Sequence, residues 1–310
     1  MRVLLLSHRD VLAALTSQAC AEAMAAVLTQ RARGETYMPL RSVMAPPEAS
    51  GFMGLMPGWR GPQDGNAALF ALKAVCIMPG NPARGLDAHQ GLVTLFDAES
   101  GQPTAILDAS AITEIRTAAV TAVATGVLAR RDARTLAILG AGTQARAHLL
   151  ALAGVREFAQ VRVYAPTEVH VRALIDQAGD TRGELTVAPS AQDALRDADV
   201  VVTATSAREP VLRRGWLKPG AHVNAVGASS PHAREIDTAT VAASALFCDS
   251  RESLRHEAGE FRLAITEGLI AGEEHVRAEL GEVLAGASMI ALVAPRILNE
   301  LIGWRFSSLR

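Results

Sequence analysis

The sequence contains few cysteines, and their spacing matches neither a disulfide framework nor a metal site. Cys20, Cys76 and Cys248 lie far apart in a chain of 310 residues and form no CxxC pair. We therefore expect no disulfide and no bound metal. The apolar stretch after Met1 is too short for a signal peptide, and the absence of disulfides is typical of a reducing compartment. We accordingly expect a cytoplasmic location.

An excess of one charge and long apolar runs are also missing. The 30 basic and 32 acidic residues give a formal net charge of −2, whereas a nucleic-acid-binding protein needs a basic face to neutralise phosphates. No apolar run approaches the roughly 18–20 residues of a membrane span. Because 49% of the residues are hydrophobic, the chain is not disordered, and its length predicts about two domains. We expect neither a nucleic acid nor a membrane among its partners.

Lysine is nearly absent, since only Lys73 and Lys218 occur and the other residues of the basic set are arginines. Lys73 interrupts the apolar run of residues 67–78, where an unpaired charge would be costly. Such a lysine is either paired or faces a site, where it can bind a carboxylate or polarise a carbonyl or imine. The alternative is a lysine at a strand end with its amine in water. Lys218 precedes Pro219 and Gly220, a sequence typical of a turn.

The order of predicted helices and strands changes along the chain. The first third predicts an α+β unit: a helix over residues 11–33 with Asp10 as its N-cap, and a hairpin of strands at 92–97 and 103–108. A long apolar helix follows at 110–130. After it, short strands alternate with helices, which indicates βαβ units around a parallel sheet. Strands are predicted at 135–139, 161–165, 185–189, 199–205, 222–228 and 245–250.

Residues 140–145 read Gly-Ala-Gly-Thr-Gln-Ala, which matches the GxGxxA fingerprint of dinucleotide-binding domains. The match lies between a predicted strand and a predicted helix, as the fingerprint requires. Gly140 permits the tight turn, Gly142 lets the backbone approach the pyrophosphate, and Ala145 allows the helix to pack closely on the strand. The alternative is a glycine turn in another α/β fold. The motif and its context predict a Rossmann-type domain that holds the phosphates of NAD(P) at a helix N-terminus.

The residues after the second strand of this domain bear on the choice between NAD and NADP. An acidic residue there would bind the 2′-hydroxyl of the NAD ribose and repel a 2′-phosphate. The sequence has Ala165, Pro166 and Thr167 instead, with neither an acid nor an arginine. Arg146 and Arg172 are close enough along the chain to approach a 2′-phosphate. We therefore expect NAD(P) as the cofactor, with a mild preference for NADP(H).

Several motifs occur in an order that is far more specific than any one of them. They are Lys73 before Asn-Pro-Ala-Arg-Gly-Leu at 81–86, Ile-Arg-Thr-Ala-Ala at 115–119, the fingerprint at 140–145, Val-Thr-Ala-Thr-Ser at 202–206, the run from Asn224 to Asp237, and Gly-Glu-Val-Leu-Ala-Gly at 281–286. From about Arg41 to Gly286, the chain resembles the ornithine cyclodeaminase/mu-crystallin family. Members of that family include ornithine cyclodeaminases, alanine dehydrogenases, ketimine reductases and thyroid-hormone-binding mu-crystallins.

The resemblance implies an α/β fold and a homodimer of two-domain subunits. Residues 117–287 would form the Rossmann dinucleotide-binding domain. Residues 1–116 with 288–310 would form an α+β N-terminal domain for substrate binding and dimerisation, completed by the C-terminal helix. The implied activity is NAD(P)-dependent hydride transfer at the α carbon of an amino acid or imine, with release of ammonia in the ornithine cyclodeaminases. The alternative is a non-catalytic NADP-dependent protein that binds a small molecule, as mu-crystallins do.

The resemblance also assigns roles to individual residues. Arg41, Lys73 and Arg116 match contacts to the substrate carboxylate and the cofactor, and with Ser229 they form the expected catalytic set. Ser229 stands where ornithine cyclodeaminases carry a proton-accepting aspartate, and the ketimine reductase branch also has serine there. This difference therefore weakens the prediction of ammonia release more than it weakens the prediction of hydride transfer. The implied cofactor contacts are Arg116, Thr117, Gly140, Gly142, Thr143, Gln144, Ala145, Thr203, Thr205, Asn224, Ala225, Val226 and Gly227.

Two histidines and one aspartate are further candidates near this site. His89 and His232 lie on the loops nearest to it, and either is a possible general acid, although a loop histidine is more often solvated. Asp237 is the first acid after Ser229. We expect it to act as the N-cap of the next helix rather than as a catalytic base.

Overall fold

The chain divides into two compact units, one ending at Arg116 and the other beginning at Thr117. The computed structural model describes residues 2–63, 65–179, 183–228, 231–286 and the strand 296–299. Of residues 288–310, which were predicted to return to the first domain, the described residues 296–299 belong to the second unit instead, because they pair with strands of its sheet. The other residues of that segment lie outside the described residues.

The first unit is built on a mostly antiparallel sheet. Its strands are β1 (Leu4–Leu6), β2 (Thr36–Tyr37), β3 (Ser42–Met44), β4 (Phe52–Arg60), β5 (Leu69–Ile77), β6 (His89–Asp97) and β7 (Pro103–Asp108). The strand order is β1-β7-β6-β5-β4-β2, and β3 pairs with β4. Only β1 runs parallel to its neighbour, β7. The predicted hairpin is confirmed, with β7 at the predicted residues.

The predicted single helix at 11–33 is wrong, because the chain forms two helices, α1 (His8–Ala14) and α2 (Ser17–Ala32). Ser7, not Asp10, is the N-cap of α1, and Asp10 completes a capping box with it. The hydroxyl of Thr16 accepts a hydrogen bond from Ala19 N at 3.2 Å and so caps α2. A side chain that satisfies the free N–H groups of a helix start favours a new helix at that point. The sequence pattern hid this break because both helices are apolar.

Residues alternate along the first sheet between a buried face and an exposed face, as the pleat of a strand requires. The buried face carries Met56, Ala71, Val75, Val93 and Leu107. The opposite face is also apolar but remains exposed. Its large side chains include Leu55, Phe70 and Leu92, which are 37–52% exposed. An antiparallel sheet with one solvated face normally presents polar residues there, so this face needs a different explanation.

Helix α3 (Ala109–Leu128) follows β7 directly, and the division between the two units falls within it. It is long and apolar enough to cross a membrane by composition, but 83% of its most apolar stretch is buried inside the protein. A helix that is apolar on most sides is typical of a protein core as well as of a membrane. We therefore describe α3 as a core helix.

The second unit is a parallel sheet flanked by helices. Its strands are β8 (Thr135–Leu139), β9 (Gln160–Tyr164), β10 (Glu184–Val187), β11 (Val200–Thr203), β12 (His222–Ala225), β13 (Ala245–Cys248), β14 (Val276–Glu279) and β15 (Arg296–Asn299). Its helices are α4 (Thr143–Ala153), α5 (Glu168–Gln177), α6 (Ala191–Leu195), α7 (Thr238–Ala242), α8 (Arg251–Glu257), α9 (Gly259–Thr266) and α10 (Leu280–Leu284). The predicted α/β fold class is confirmed.

The order of these strands identifies where a ligand binds. The sheet runs β10-β9-β8-β11-β12-β15-β13-β14, so successive strands are added to one side of β8 and then, from β11 onward, to the other. In doubly wound sheets, ligands bind beside the carboxyl ends of the strands at this switch point. The fingerprint follows β8, which is one of the two strands at the switch.

Two strands near the C-terminal end of the second unit were not predicted from the sequence. Val276–Glu279 forms β14, whose side chains alternate between buried and exposed positions beside β13. Residues 296–299, which the resemblance placed in a C-terminal helix, form β15 between β12 and β13. Those two strands have no direct pairing in the strand order, so β15 supplies the hydrogen bonds that join them. The other residues of 288–310 lie outside the described residues.

Lys218 does more than precede a turn. Its amine lies 2.5 Å from Asp199 Oδ1 and donates to the carbonyl of Asp197 at 2.8 Å. Asp199 also accepts from Arg134 N and Thr135 N, which open the first strand of the unit. Although partial burial opposes it, hydrogen bonding from Lys218 and these amides lowers the pKa of Asp199 to about 2. Lys218 is therefore part of an ionic contact that holds the start of β8.

Candidate active site

Lys73 lies in the middle of β5, on the buried face of the first sheet. It pairs with Met56 of β4 and Val93 of β6 and is only 2% exposed. Its amine donates a hydrogen bond to the hydroxyl of Thr113 on α3. That hydroxyl in turn donates to the carbonyl of Ala109 at 2.6 Å. Lys73 is therefore a buried lysine with a hydrogen-bond partner, and not a strand-end lysine that reaches water; its contact with a substrate stays a prediction.

Burial changes the protonation of Lys73. Removal of the ammonium from water, together with the nearby charge of Arg116, holds the pKa of Lys73 well below its ordinary value, while Asp108 opposes this shift. Asp108 stays in place because its carboxylate accepts from Ala111 N at 2.7 Å at the start of α3. A lysine with a lowered pKa can exchange a proton near neutral pH, as catalytic lysines do.

Arg116 and His89 complete what we call the basic cluster: Lys73, His89 and Arg116. Arg116 is 5% exposed and lies about one turn after Thr113 on α3. His89 begins β6, on the same sheet face as Lys73 by the strand register. Burial and the charges of Lys73 and Arg116 lower the pKa of His89 to about 4, although Asp87 opposes them. His89 is therefore neutral at pH 7 and is a poor general acid in this state.

Arg41 lies immediately before β3 and is half-buried. In the register of β3 with β4, Ser42 pairs with Leu55, so the next position places Arg41 opposite Met56. Met56 pairs with Lys73. The strand spacing therefore puts the backbone of Arg41 roughly 10 Å from that of Lys73. Arg41, Lys73 and Arg116 thus lie in the same unit, and the carboxylate contact that the resemblance implies for them stays a prediction.

The fingerprint turn has the backbone that a dinucleotide needs. Gly140 has φ +118°, and a Cβ added there would lie 2.4 Å from the carbonyl oxygen of Ala204. Gly142 is the N-cap of α4, and a Cβ on it would meet nothing within 4 Å, so a ligand can approach its backbone. Ala145 is fully buried. The exposed N-terminus of α4, which begins with Thr143 and Gln144, presents N–H groups to an anion.

Glu235 connects the loops that follow β11 and β12, and sequence reasoning assigned it no role. Its Oε1 accepts from Thr205 N and Thr205 Oγ1, both at 2.6 Å. Its Oε2 accepts from Thr203 Oγ1 at 2.7 Å and from Gly227 N at 2.6 Å. A Cβ on Gly227 would lie 2.2 Å from the carbonyl oxygen of Thr205. A fully buried carboxylate thus holds two loops together beside the switch point.

Several residues that were predicted to contact the cofactor have side chains that are hydrogen-bonded or buried inside the second unit. The hydroxyls of Thr203 and Thr205 donate to Glu235. The Asn224 amide donates to Thr125 Oγ1 at 3.1 Å, and its carbonyl oxygen lies 3.0 Å from the His222 ring. The side chains of Ala225 and Val226 are also buried. Contacts from these positions to a cofactor would therefore come from the backbone, while contacts from Gly142 and Thr143 remain open.

Glu260 lies behind Glu235 and binds a proton more tightly than an ordinary carboxyl group. Its Oε1 accepts from Glu235 N at 3.0 Å, and Oε2 has no hydrogen-bond partner among the described residues. Burial and the charge of Glu235 raise the pKa of Glu260 to about 8. Burial also raises the pKa of Glu235, but four donors oppose it. Glu260 is therefore largely protonated at neutral pH, while the four hydrogen bonds to Glu235 favour its ionised form.

A buried histidine joins α3 to the fingerprint helix. His148 on α4 lies 2.8 Å from the hydroxyl of Thr121 through Nε2 and 2.7 Å from the carbonyl oxygen of Gln144 through Nδ1. Around it, small side chains of both helices pack closely, as Ala118 and Ala147 do. A single sequence offers no signal that pairs two residues so far apart, so this contact was not predicted.

The other residues that were considered from the sequence are Asp237, His232 and Ser229. Asp237 is the N-cap of α7, as predicted, and accepts from Thr240 N at 3.0 Å. His232 is exposed. Ser229, the fourth residue of the expected catalytic set, lies outside the described residues. Among the residues that the structure describes, no three or more His, Cys, Asp or Glu side chains are grouped so that they could hold a metal ion.

The second unit defines the class of protein. Its fingerprint turn, switch point and open helix N-terminus fit NAD(P), whose function in proteins is hydride transfer. The chain is therefore an NAD(P)-dependent oxidoreductase.

Comparison with known proteins places this oxidoreductase in a family. Residues 1–289 match the model of the ornithine cyclodeaminase/mu-crystallin family, and the chain belongs to that family. The ketimine reductase mu-crystallin of Mus musculus is 36% identical over 266 residues, which cover 86% of this chain and 80% of that protein. The predicted resemblance is confirmed.

Two solved structures are similar over nearly the whole chain. One is the Thermococcus litoralis Δ1-pyrroline-2-carboxylate reductase in complex with NADH and L-proline, with a TM-score of 0.90 and 32% identity, covering 96% of this chain and 92% of that one. The other is an archaeal alanine dehydrogenase dimer with bound NAD, with a TM-score of 0.89 and 30% identity, covering 97% of this chain and 91% of that one. These structures support the predicted NAD(P) cofactor.

Replacing Lys73 with methionine should remove most turnover and spare cofactor binding. Methionine keeps an unbranched apolar stem but lacks the amine, so we expect kcat/KM to fall about 100-fold or more. The Kd of the reduced cofactor, measured by fluorescence titration, should stay nearly unchanged. Lys218→Met is the matched control: it removes the ion pair with Asp199, so it should lower Tm without lowering kcat/KM. Equal losses of turnover in both variants would contradict the assignment of Lys73.

Replacing Glu235 with glutamine should loosen the two loops that it connects. A glutamine side chain has one accepting oxygen and one donating NH2 group. The NH2 group would therefore face Thr205 N or Gly227 N, which are themselves donors. We expect the free energy of unfolding to fall by about 2–3 kcal/mol, because a buried donor loses its partner. We also expect a higher KM for the cofactor. Urea denaturation and steady-state kinetics measure these two effects.

Glu260→Gln is the control for Glu235→Gln, and its effect should depend on pH. The pKa of Glu260 rises from its ordinary 4.5 to about 8 in the folded protein, so its contribution to stability is complete below pH 4.5 and is lost as the pH rises toward 8. Glutamine cannot ionise. Relative to the wild type, Glu260→Gln should therefore gain stability between about pH 5 and about pH 8. A difference that stays constant over that range would show that Glu260 titrates normally.

Proposed function

We propose that the protein is an NAD(P)H-dependent reductase of imines that carry a carboxylate next to the C=N bond, such as cyclic imino acids. The observation that carries this proposal is the buried amine of Lys73, held beside Arg116 in the basic cluster. The Mus musculus ketimine reductase and the Thermococcus litoralis reductase named above act in this substrate class by their names, and both are similar to this chain.

The basic cluster supports an anionic substrate. Arg116 and the amine of Lys73 share a buried region with the neutral His89, and a cation in such surroundings attracts a carboxylate strongly. The planar guanidinium of Arg116 is suited to bind a carboxylate through two parallel hydrogen bonds. Arg41, two strands from Lys73, is the second arginine that can contact the same anion.

The reaction needs a proton as well as a hydride. Bound NAD(P)H supplies the hydride to the imine carbon, and the imine nitrogen must receive a proton. A carboxylate bound near Lys73 and Arg116 offsets their mutual repulsion and so raises the pKa of Lys73. Substrate binding would thus protonate Lys73 Nζ, which can then donate to the nitrogen. His89, with a pKa of about 4, is less suited to this role.

A substrate screen with the purified protein tests the proposal. Δ1-Pyrroline-2-carboxylate, its six-membered-ring analogue, and pyruvate with ammonia are each mixed with NADH or NADPH. The loss of reduced nicotinamide absorbance is then followed. We expect the cyclic imines to be the best substrates. In the control reaction, which contains the protein and the reduced cofactor but no substrate, the absorbance should fall no faster than in buffer.

Two other outcomes would replace this proposal. Conversion of L-ornithine to proline and ammonia with catalytic NAD would make the protein a cyclodeaminase, the ammonia-lyase that the resemblance also implied. Tight binding of NAD(P)H with no hydride transfer to any imine, amine or keto acid would favour the non-catalytic binding protein. The cytoplasmic location remains a prediction of the sequence.

We further propose that the protein is a homodimer in which the exposed apolar face of the first sheet contacts a second copy. Leu55, Ala74 and Leu92 lie side by side on that face in the register of β4, β5 and β6. Leu92 is 52% exposed and Phe70 is 48% exposed. Contiguous apolar surface of this kind on a soluble protein marks an interaction site. The similar archaeal alanine dehydrogenase is a dimer.

Replacing Leu92 with glutamate should dissociate the dimer, because a carboxylate would be buried at its centre. Light scattering coupled to gel filtration measures the mass, which we expect to fall from about twice 32.6 kDa to a single chain. Leu269→Glu is the matched control, since Leu269 is 54% exposed but lies in the second unit. A monomeric wild-type protein, or an unchanged mass for Leu92→Glu, would refute the proposed face.

A further inference from the structure

A cleft of about 200 Å³ lies between α4 and α5, next to the fingerprint turn. Gly142, Thr143 and Arg146 line it from the α4 side, and His170 and Gln177 line it from α5. The cleft therefore begins at the turn where the dinucleotide phosphates bind and extends toward the helix that follows the second strand of the sheet. In Rossmann domains, this is the side on which the adenosine ribose lies.

The lining of this cleft carries a positive charge. It contains one arginine, Arg146, together with His170, and no acidic residue. The residues that follow β9, Ala165, Pro166 and Thr167, are uncharged as well. An acid at the end of that strand is the group that binds the 2′-hydroxyl of NAD and repels a 2′-phosphate. The cleft thus lacks the feature that selects NAD.

The other arginine considered from the sequence, Arg172, is committed elsewhere. Its Nε donates to Glu168 Oε1 at 2.8 Å, one turn earlier on α5, and its side chain does not line the cleft. Both partners are largely exposed, with 65% and 60% of their side chains accessible. The same ion pair also occupies Glu168, the acid nearest to the end of β9. The structure therefore distinguishes two arginines that the sequence could not rank.

We propose that the cleft between α4 and α5 binds the 2′-phosphate of NADP(H), with Arg146 as its main ligand and His170 as a second donor. The guanidinium group matches the geometry of a phosphate and binds it through paired hydrogen bonds. The proposal rests on the proposed function only in requiring that the second unit bind a dinucleotide. The solved relatives above held NADH or NAD, so this selectivity would come from this chain's own residues.

Binding of two nucleotide fragments tests the proposal without substrate or turnover. Adenosine 2′,5′-bisphosphate carries the 2′-phosphate, and adenosine 5′-monophosphate lacks it. By isothermal titration calorimetry of the full-length protein, we expect the bisphosphate to bind at least about tenfold more tightly. Arg146→Gln should remove most of this ratio, and His170→Gln should reduce it less. Arg172→Gln, the matched control on α5, should retain it.

The outcomes separate this proposal from the proposed function. Equal binding of both fragments by the wild-type protein, or an equal loss of the ratio in Arg172→Gln, would overturn the cleft assignment. Reduction of imines with NADH would still be possible in that case. Conversely, a protein that prefers the bisphosphate but reduces no imine would keep the cleft and refute the reductase. Melting temperatures of the variants show whether a loss of binding reflects unfolding.

Discussion

Buried threonines of α3 form hydrogen bonds with buried polar side chains within each of the two units. In the first unit, the hydroxyl of Thr113 accepts from the amine of Lys73. In the second unit, Thr121 contacts His148 and Thr125 accepts from Asn224. A buried polar group without a partner is costly, so Thr113 helps to fix the lysine amine in its unit. Thr121 and Thr125 likewise help to fix the fingerprint helix and β12 in theirs.

The sequence predicted those parts of the fold that depend on local signals. The strands β7 and β8 to β13 were found from apolar runs and turns, and the fingerprint was found from its glycines. The break between α1 and α2 was missed because the cap at Thr16 interrupts a pattern that otherwise reads as one continuous helix. β15 was missed because its place between β12 and β13 follows from pairing with distant strands, which no local pattern contains.

The sequence identified candidate site residues where one residue was unusual by itself. Lys73 stood out as a charge in an apolar strand, and Gly140 as a glycine in a required turn. Glu235 was unremarkable in sequence, and its structural role comes from donors 8 to 32 residues away along the chain. For the same reason, the sequence could not show that the hydroxyl of Thr203 donates to Glu235.

Because the chain contains only two lysines, Lys73 and Lys218, chemical labelling of lysine side chains can be assigned to individual positions. An acylating reagent attacks only a neutral, accessible amine. Burial lowers the pKa of Lys73, which favours the neutral amine, but at 2% exposure the amine is not accessible. Lys218 is held in an ion pair with Asp199 and is partly shielded by it. Acylation at Lys73 therefore requires the first sheet to open, so its rate would report the frequency of that opening under native conditions.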